Sequence, residues 1–348
     1  MGNLLTYSGI ATKVRAMEGN LIQNSQYHEL CNLETVQAAV DYLKTLPAYA
    51  DLFTNTDESE WHRGTIEQQL RISLYRDFSK LYRFSSMEQR NFLDLYFMHY
   101  EINIIKRCLR HIMGHRFAQV DLSLFEDFFH RHSKLDLTRL AEAGNLEEFI
   151  SSLEGTYYYP LLERLERADN LTVFDYEMQL DRIFFQSIWS VKDKSLTKQE
   201  RKLVAESYGT RLDLLTIQWI YRSKKYYHLA EADIYALLLP FHYHLKTDQI
   251  RHLVEAATVE DFFAALKTTR YGGLIDTDLS QPVNLEALYL EVLDKLHTDT
   301  GRKNPYSIAV LNSYLYFKES EIRNIVTIIE SIRYGVDGNE ILAHINKQ

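Results

Sequence analysis

Apolar side chains recur along the chain at helical spacing. Ile66, Leu70, Leu74, Phe78 and Leu81 form one stripe, and Val173, Tyr176, Leu180, Ile183 and Ile188 form another. Shorter stripes occur in three related copies. Val36, Leu146 and Val259 stand 110 and 113 residues apart, each directly preceded by a residue suited to an N-cap: Thr35, Asn145 and Thr258. Six positions before each reference point is a leucine: Leu30, Leu140 and Leu253. Four positions after come Val40, Ile150 and Phe263, and seven after come Leu43, Leu153 and Leu266, which places them on one helical face. Each short helix is expected to close on a threonine–tyrosine pair: Thr45 and Tyr49, Thr156 and Tyr158, Thr269 and Tyr271, with Pro47 stretching the first.

A second element follows at nearly constant distance. Asn103, Asp213 and Asn324 lie 67, 67 and 65 residues after the reference points, each followed by two aliphatic residues. The long helices that carry them have expected starts at Ser85 with Glu88, at Thr197 with Glu200, and at Asn304-Pro305. Breaks are expected at 52–64, 114–121, 190–197 and 271–283. The pattern predicts an all-α protein of three homologous units, residues 1–112, 113–225 and 226–348. No Ser/Gly-rich tether separates them, so they are expected to pack as one rigid body.

Composition narrows the classes. With 13 Gly and 5 Pro in 348 residues, collagen-like, low-complexity and disordered readings fall away, and an all-β domain lacks its turns. Lys and Arg number 39 against 48 Asp and Glu, a net charge of −9, which disfavours nucleic acid or an anionic bilayer as the main partner. Cys31 and Cys108 form neither a disulfide framework nor a C-x-x-C site, so a reducing, cytoplasmic setting is expected. The N-terminus lacks the basic and apolar regions of a signal peptide, and no apolar run approaches the ~18 residues of a membrane span. Direct membrane insertion is not expected.

Candidate chemistry is sparse. His111 and His115 are spaced i, i+4, but Ile112 stands where a zinc protease helix needs glutamate, and no third ligand is evident nearby. His130 with His132 and His242 with His244 are spaced i, i+2 and point to different helix faces. No Glu-x-x-His pair, phosphate-binding glycine loop or nucleophile elbow occurs. Neither a catalytic residue nor a cofactor is expected. The Asn103/Asp213/Asn324 position is read as structural, bonding the backbone of a neighbouring helix end; the alternative is contact with a partner. A generic helical-repeat scaffold is a second reading of the chain, though a tetratricopeptide period would be ~34 residues. A helical metalloenzyme using His111 and His115 is the third.

The N-terminal stretch with Tyr7, Val14-Arg15, Gly19-Asn20-Leu21, Tyr27, Leu30 and Cys31-Asn32-Leu33-Glu34-Thr35 resembles the start of the C subunit of rotary V/A-type ATPases, known as d in eukaryotes. The run 316–326, with Lys318, Glu319, Glu321, Arg323 and Asn324, resembles that family's most recognisable motif, departing at Val326 where some members carry Arg. The resemblance covers essentially the whole chain. It implies three similar helical units in a funnel-like socket with pseudo-threefold symmetry and no catalytic site. The implied partners are the membrane proteolipid ring and the central shaft subunits of D and F type, at the cytoplasmic face of the membrane. The implied role is to transmit torque between ATP hydrolysis or synthesis and H⁺ or Na⁺ transport.

Overall fold

The three capped reference points open three helices. In the computed structural model, which describes residues 2–53, 61–114, 121–167, 171–272 and 285–345 (side chains of 2, 3 and 191–195 excepted), every regular element is helical. In chain order these are α1 (Gly2–Glu18), α2 (Asn24–Cys31), α3 (Val36–Thr45), α4 (Arg63–Phe84), α5 (Met87–Met113) and α6 (Glu126–His132). There follow α7 (Leu137–Glu142), α8 (Leu146–Ser151), α9 (Tyr159–Glu166), α10 (Val173–Ser195) and α11 (Lys198–Lys225). The series ends with α12 (Glu231–Leu237), α13 (Thr247–Glu255), α14 (Val259–Lys267), α15 (Leu285–Lys303), α16 (Ile308–Arg333) and α17 (Gly338–His344). No described helix is long and apolar enough to cross a membrane.

Helices α3, α8 and α14 begin at Val36, Leu146 and Val259 because the residue before each caps it. Thr35 accepts the N–H of Ala38 at 3.1 Å, Asn145 that of Glu148 at 2.9 Å, and Thr258 that of Asp261 at 3.1 Å. The +4 and +7 residues of each stripe are buried, as are Leu30, Leu140 and Leu253. The reference residues themselves sit at the rim, Val259 being 40% exposed. Replacing Thr258 with alanine should cost about 1 kcal/mol, read as a lowered urea midpoint.

The long helices begin less predictably. α11 opens on Thr197 with Glu200 as expected. α5 starts one residue later than expected: Ser86 is the cap and Gln89 returns the bond, while the Ser85 hydroxyl bonds back to the Leu81 carbonyl at 2.8 Å. α16 starts at Ser307, not at Asn304-Pro305. Those two residues lie outside it, and the Asn304 carbonyl accepts the Ser307 hydroxyl. The expected break at 190–197 is shorter, because α10 runs on to Ser195. Most of 52–64, 114–121 and 271–283 lies outside the described residues.

The chain divides into two compact units, residues 1–177 with 301–348, and 178–300. In the first, α16 packs on α1, α2, α3 and α4, while α5 packs on α4, α7 and α8. Tyr75, Phe78, Phe97, Tyr100 and Phe128 form a dense aromatic cluster between α4, α5 and α6. In the second unit, α11 packs on α13, which in turn packs on α12 and α14.

Candidate functional site

The threonine–tyrosine pairs turn tyrosines inward. Thr156 donates to the Leu153 carbonyl at 2.6 Å and Thr269 to that of Leu266 at 2.7 Å, and their hydroxyls accept the N–H of Tyr158 and Tyr271. Thr45 donates to the Tyr42 carbonyl at 2.6 Å, and the turn through Pro47 then brings Tyr49 inward. All three phenols are buried, and a buried hydroxyl needs a partner. Each finds a carboxylate on a long helix. Tyr49 donates to Glu321 on α16, Tyr158 to Glu101 on α5 at 2.7 Å, and Tyr271 to Asp213 on α11 at 2.9 Å. Burial first, and then the adjacent carboxylate, push all three phenols above their ordinary value. They therefore stay protonated and donate throughout the physiological range.

The α16 junction is the most enclosed. Lys318 and Glu321, one turn apart, are 1% and 0% exposed and meet at 2.7 Å. Lys318 also donates to the Tyr49 hydroxyl at 2.8 Å, and Glu321 accepts the Ile22 N–H at 2.5 Å. Asn324 lies one turn further on, buried beside Tyr27. A buried ion pair of this kind offsets its desolvation only when the remaining valences are filled, and Tyr49 and Ile22 fill them.

The Asp213 junction is built mainly on backbone donors. The two carboxylate oxygens accept the N–H groups of Tyr243 at 2.9 Å, His244 at 2.6 Å and Leu245 at 3.0 Å, besides the Tyr271 hydroxyl. Four donors thus hold a fully buried charge. Gly209, one turn earlier on α11, makes this possible: a Cβ there would stand 2.5 Å from a Tyr243 ring carbon.

Glu101 accepts the hydroxyls of Ser133 and Tyr158. Burial outweighs these bonds and leaves its carboxyl above the ordinary 4.5. Between the unfolded and folded values only the folded chain holds the proton, so this group makes stability fall as pH rises through that window. The destabilisation caused by Glu101→Gln should accordingly be largest below the ordinary carboxyl value and shrink as pH rises above it, in urea titrations at several pH values.

The other singled-out residues are dispersed. Asn103 is half-buried and bonds His99 at 3.2 Å. On the face of α16 next to Lys318 and Glu321, Glu319 accepts the Tyr96 hydroxyl at 3.0 Å, and Arg323 donates to Ser320 at 2.8 Å. Asn103, Glu319 and Arg323 share one cleft, whereas Asp213 lies in the other compact unit. His111 is half-buried at the end of α5, and His115 lies outside the described residues. His132 packs edge-on against Tyr82 at 4.7 Å, where burial holds its pKa down. Among the described residues no group of three His, Cys, Asp or Glu could hold a metal ion. Cys31 and Cys108 are buried thiols pushed up to about 11 and about 12 by burial. The residue that sequence reasoning missed is Glu101; the signal for it was Tyr158, an inward tyrosine lacking an identified acceptor.

These features define an all-helical protein whose buried polar groups join helices to one another. The family model of the ATP synthase (C/AC39) subunit matches residues 10–344, and the chain belongs to that family. The chain is 25% identical to the C subunit of the A-type ATP synthase of Methanobrevibacter smithii over 343 residues, covering 95% of this chain and 85% of the relative. It is 25% identical to the corresponding protein of Thermococcus kodakarensis, covering 95% and 88%, and 23% identical to that of Methanococcoides burtonii, covering 97% and 93%. Membership bears out the resemblance read from the sequence and places the chain among accessory subunits of rotary ATPases.

Proposed function

We propose that this chain is a non-catalytic central-stalk subunit, seated on the proteolipid ring at the cytoplasmic face of the membrane and receiving the foot of the shaft built from D- and F-type subunits. In that place it transmits torque between nucleotide turnover and H⁺ or Na⁺ transport. Family membership is the observation that carries this reading. The junctions support it: a torque adaptor must resist shear between helices, and a buried charge with filled valences is costly to pull apart.

We also propose the division into units 1–112, 113–225 and 226–348. Under it, each inward tyrosine bonds a long helix of another unit. Tyr49 reaches Glu321, Tyr158 reaches Glu101 and Tyr271 reaches Asp213, so every unit is tied to the one before it, and the first to the last.

A pull-down of the tagged chain from native membranes in mild detergent tests the stalk assignment. Proteolipid and shaft subunits should be recovered together, and recovery of neither would remove it. With a net charge of −9, docking on protein loops of the ring should weaken with salt. Retention at high salt with release by urea would point instead to an apolar contact.

A further inference from the structure

The cleft beside the α16 junction has a charge opposite to that of the chain. It is a cavity of about 260 Å³ whose lining includes Arg63 and Arg71 from α4, Asn103 from α5 and Arg323 from α16, with the carboxylates Glu67 and Glu319. Both carboxylates are already engaged. Arg71 donates twice to one oxygen of Glu67, at 3.1 and 2.7 Å, and Glu319 accepts from Tyr96 with His99 at 3.7 Å. Burial pushes the Glu67 carboxyl up, yet Arg71, Arg107 and Arg63 outweigh it and hold it below the usual range. The local field is therefore positive within a protein of net charge −9.

Two of the arginines have capacity to spare. Arg323 donates to Ser320, a neutral hydroxyl, through one of its guanidinium nitrogens. Arg63, in the first turn of α4, shares the single carboxylate of Glu67 with Arg71 and Arg107, so three cations face one anion there. Planar guanidinium forks from two different helices match a tetrahedral oxyanion, which accepts paired N–H bonds on several edges. The volume lies just under the ~300–1,000 Å³ of sites that enclose drug-sized ligands, so it suits a small anion.

We propose that this cleft binds a phosphate group, with Arg63 and Arg323 as the principal donors and Asn103 as a neutral one. This inference is separate from the stalk assignment, because the full-length chain alone should bind the probe. The test is calorimetric titration of inorganic phosphate, and in a second arm of adenosine monophosphate, in low-salt buffer without competing oxyanions. Saturable 1:1 binding is expected, with Arg63→Gln and Arg323→Gln each weakening it by about tenfold or more. Arg164→Gln, an exposed arginine on α9, should leave the affinity unchanged. Binding of phosphate alone would mark free phosphate as the ligand, and comparable binding of the monophosphate an organic phosphate; either supports the site. Circular dichroism of each variant establishes that it is folded. Absence of saturable binding, or an equal loss in Arg164→Gln, would overturn it.

Discussion

Glu321→Ala should destabilise the first compact unit by about 3–5 kcal/mol. The substitution leaves the Lys318 ammonium, 1% exposed, without a counter-ion, and strips the Tyr49 hydroxyl and Ile22 N–H of their acceptor. The cost is that of uncompensated burial, so removing the cation as well should recover part of it. The double variant Lys318→Met/Glu321→Met is expected to lie between Glu321→Ala and the parent, with the remaining deficit set by the two orphaned donors. Urea unfolding followed at Trp61, in a background where Trp189 and Trp219 are phenylalanine, reads this unit directly, because Trp61 is buried and its carbonyl accepts Arg333 at 2.8 Å. A Glu321→Ala midpoint indistinguishable from the parent would show that the pair contributes nothing to holding α16.

The second large effect is at Asp213. Its replacement by alanine orphans three backbone N–H groups and one phenol, each worth about 1–3 kcal/mol when left buried. Partial hydration reduces the sum, and a loss of at least about 4 kcal/mol is expected for the second compact unit. Asp213→Asn keeps one acceptor oxygen but turns an NH₂ toward N–H donors, so it should fall between alanine and the parent. The effect is visible at Trp219, which is buried on the same helix. If asparagine were as benign as the parent, the carboxylate charge would not be what holds 243–245 against α11.

How much of this was legible in the sequence depends on the range of the interaction. The starts of α3, α8 and α14 were readable because a cap and its helix lie within four residues. Ser86 and Ser307 were misplaced by one and three residues, since serines and an Asn-Pro compete as caps over a single turn and packing chooses between them. The inward tyrosines were visible, but their acceptors were not, because a pair separated by tens or hundreds of residues leaves no local period. Alignment of Asn103, Asp213 and Asn324 found one acceptor of the three. The others, Glu101 and Glu321, lie two and three residues earlier on their helices. Glu321 entered only through the resemblance of its surrounding motif. Gly209 was the overlooked clue, a glycine within a long helix one turn from a buried aspartate.

The partners of the three junctions are reached at very different times during synthesis. Tyr158 follows Glu101 by 57 residues and Tyr271 follows Asp213 by 58, so these bonds form soon after each segment leaves the ribosome. Ile22 and Tyr49 wait 299 and 272 residues for Glu321. At ~5–20 residues per second that is on the order of 15–60 s, during which the nascent amino-terminal helices lack the strand of chain that completes their core. Chaperone capture should therefore concentrate on residues 1–53, and truncation before α16 should leave that segment, rather than the middle of the chain, exposed to proteolysis.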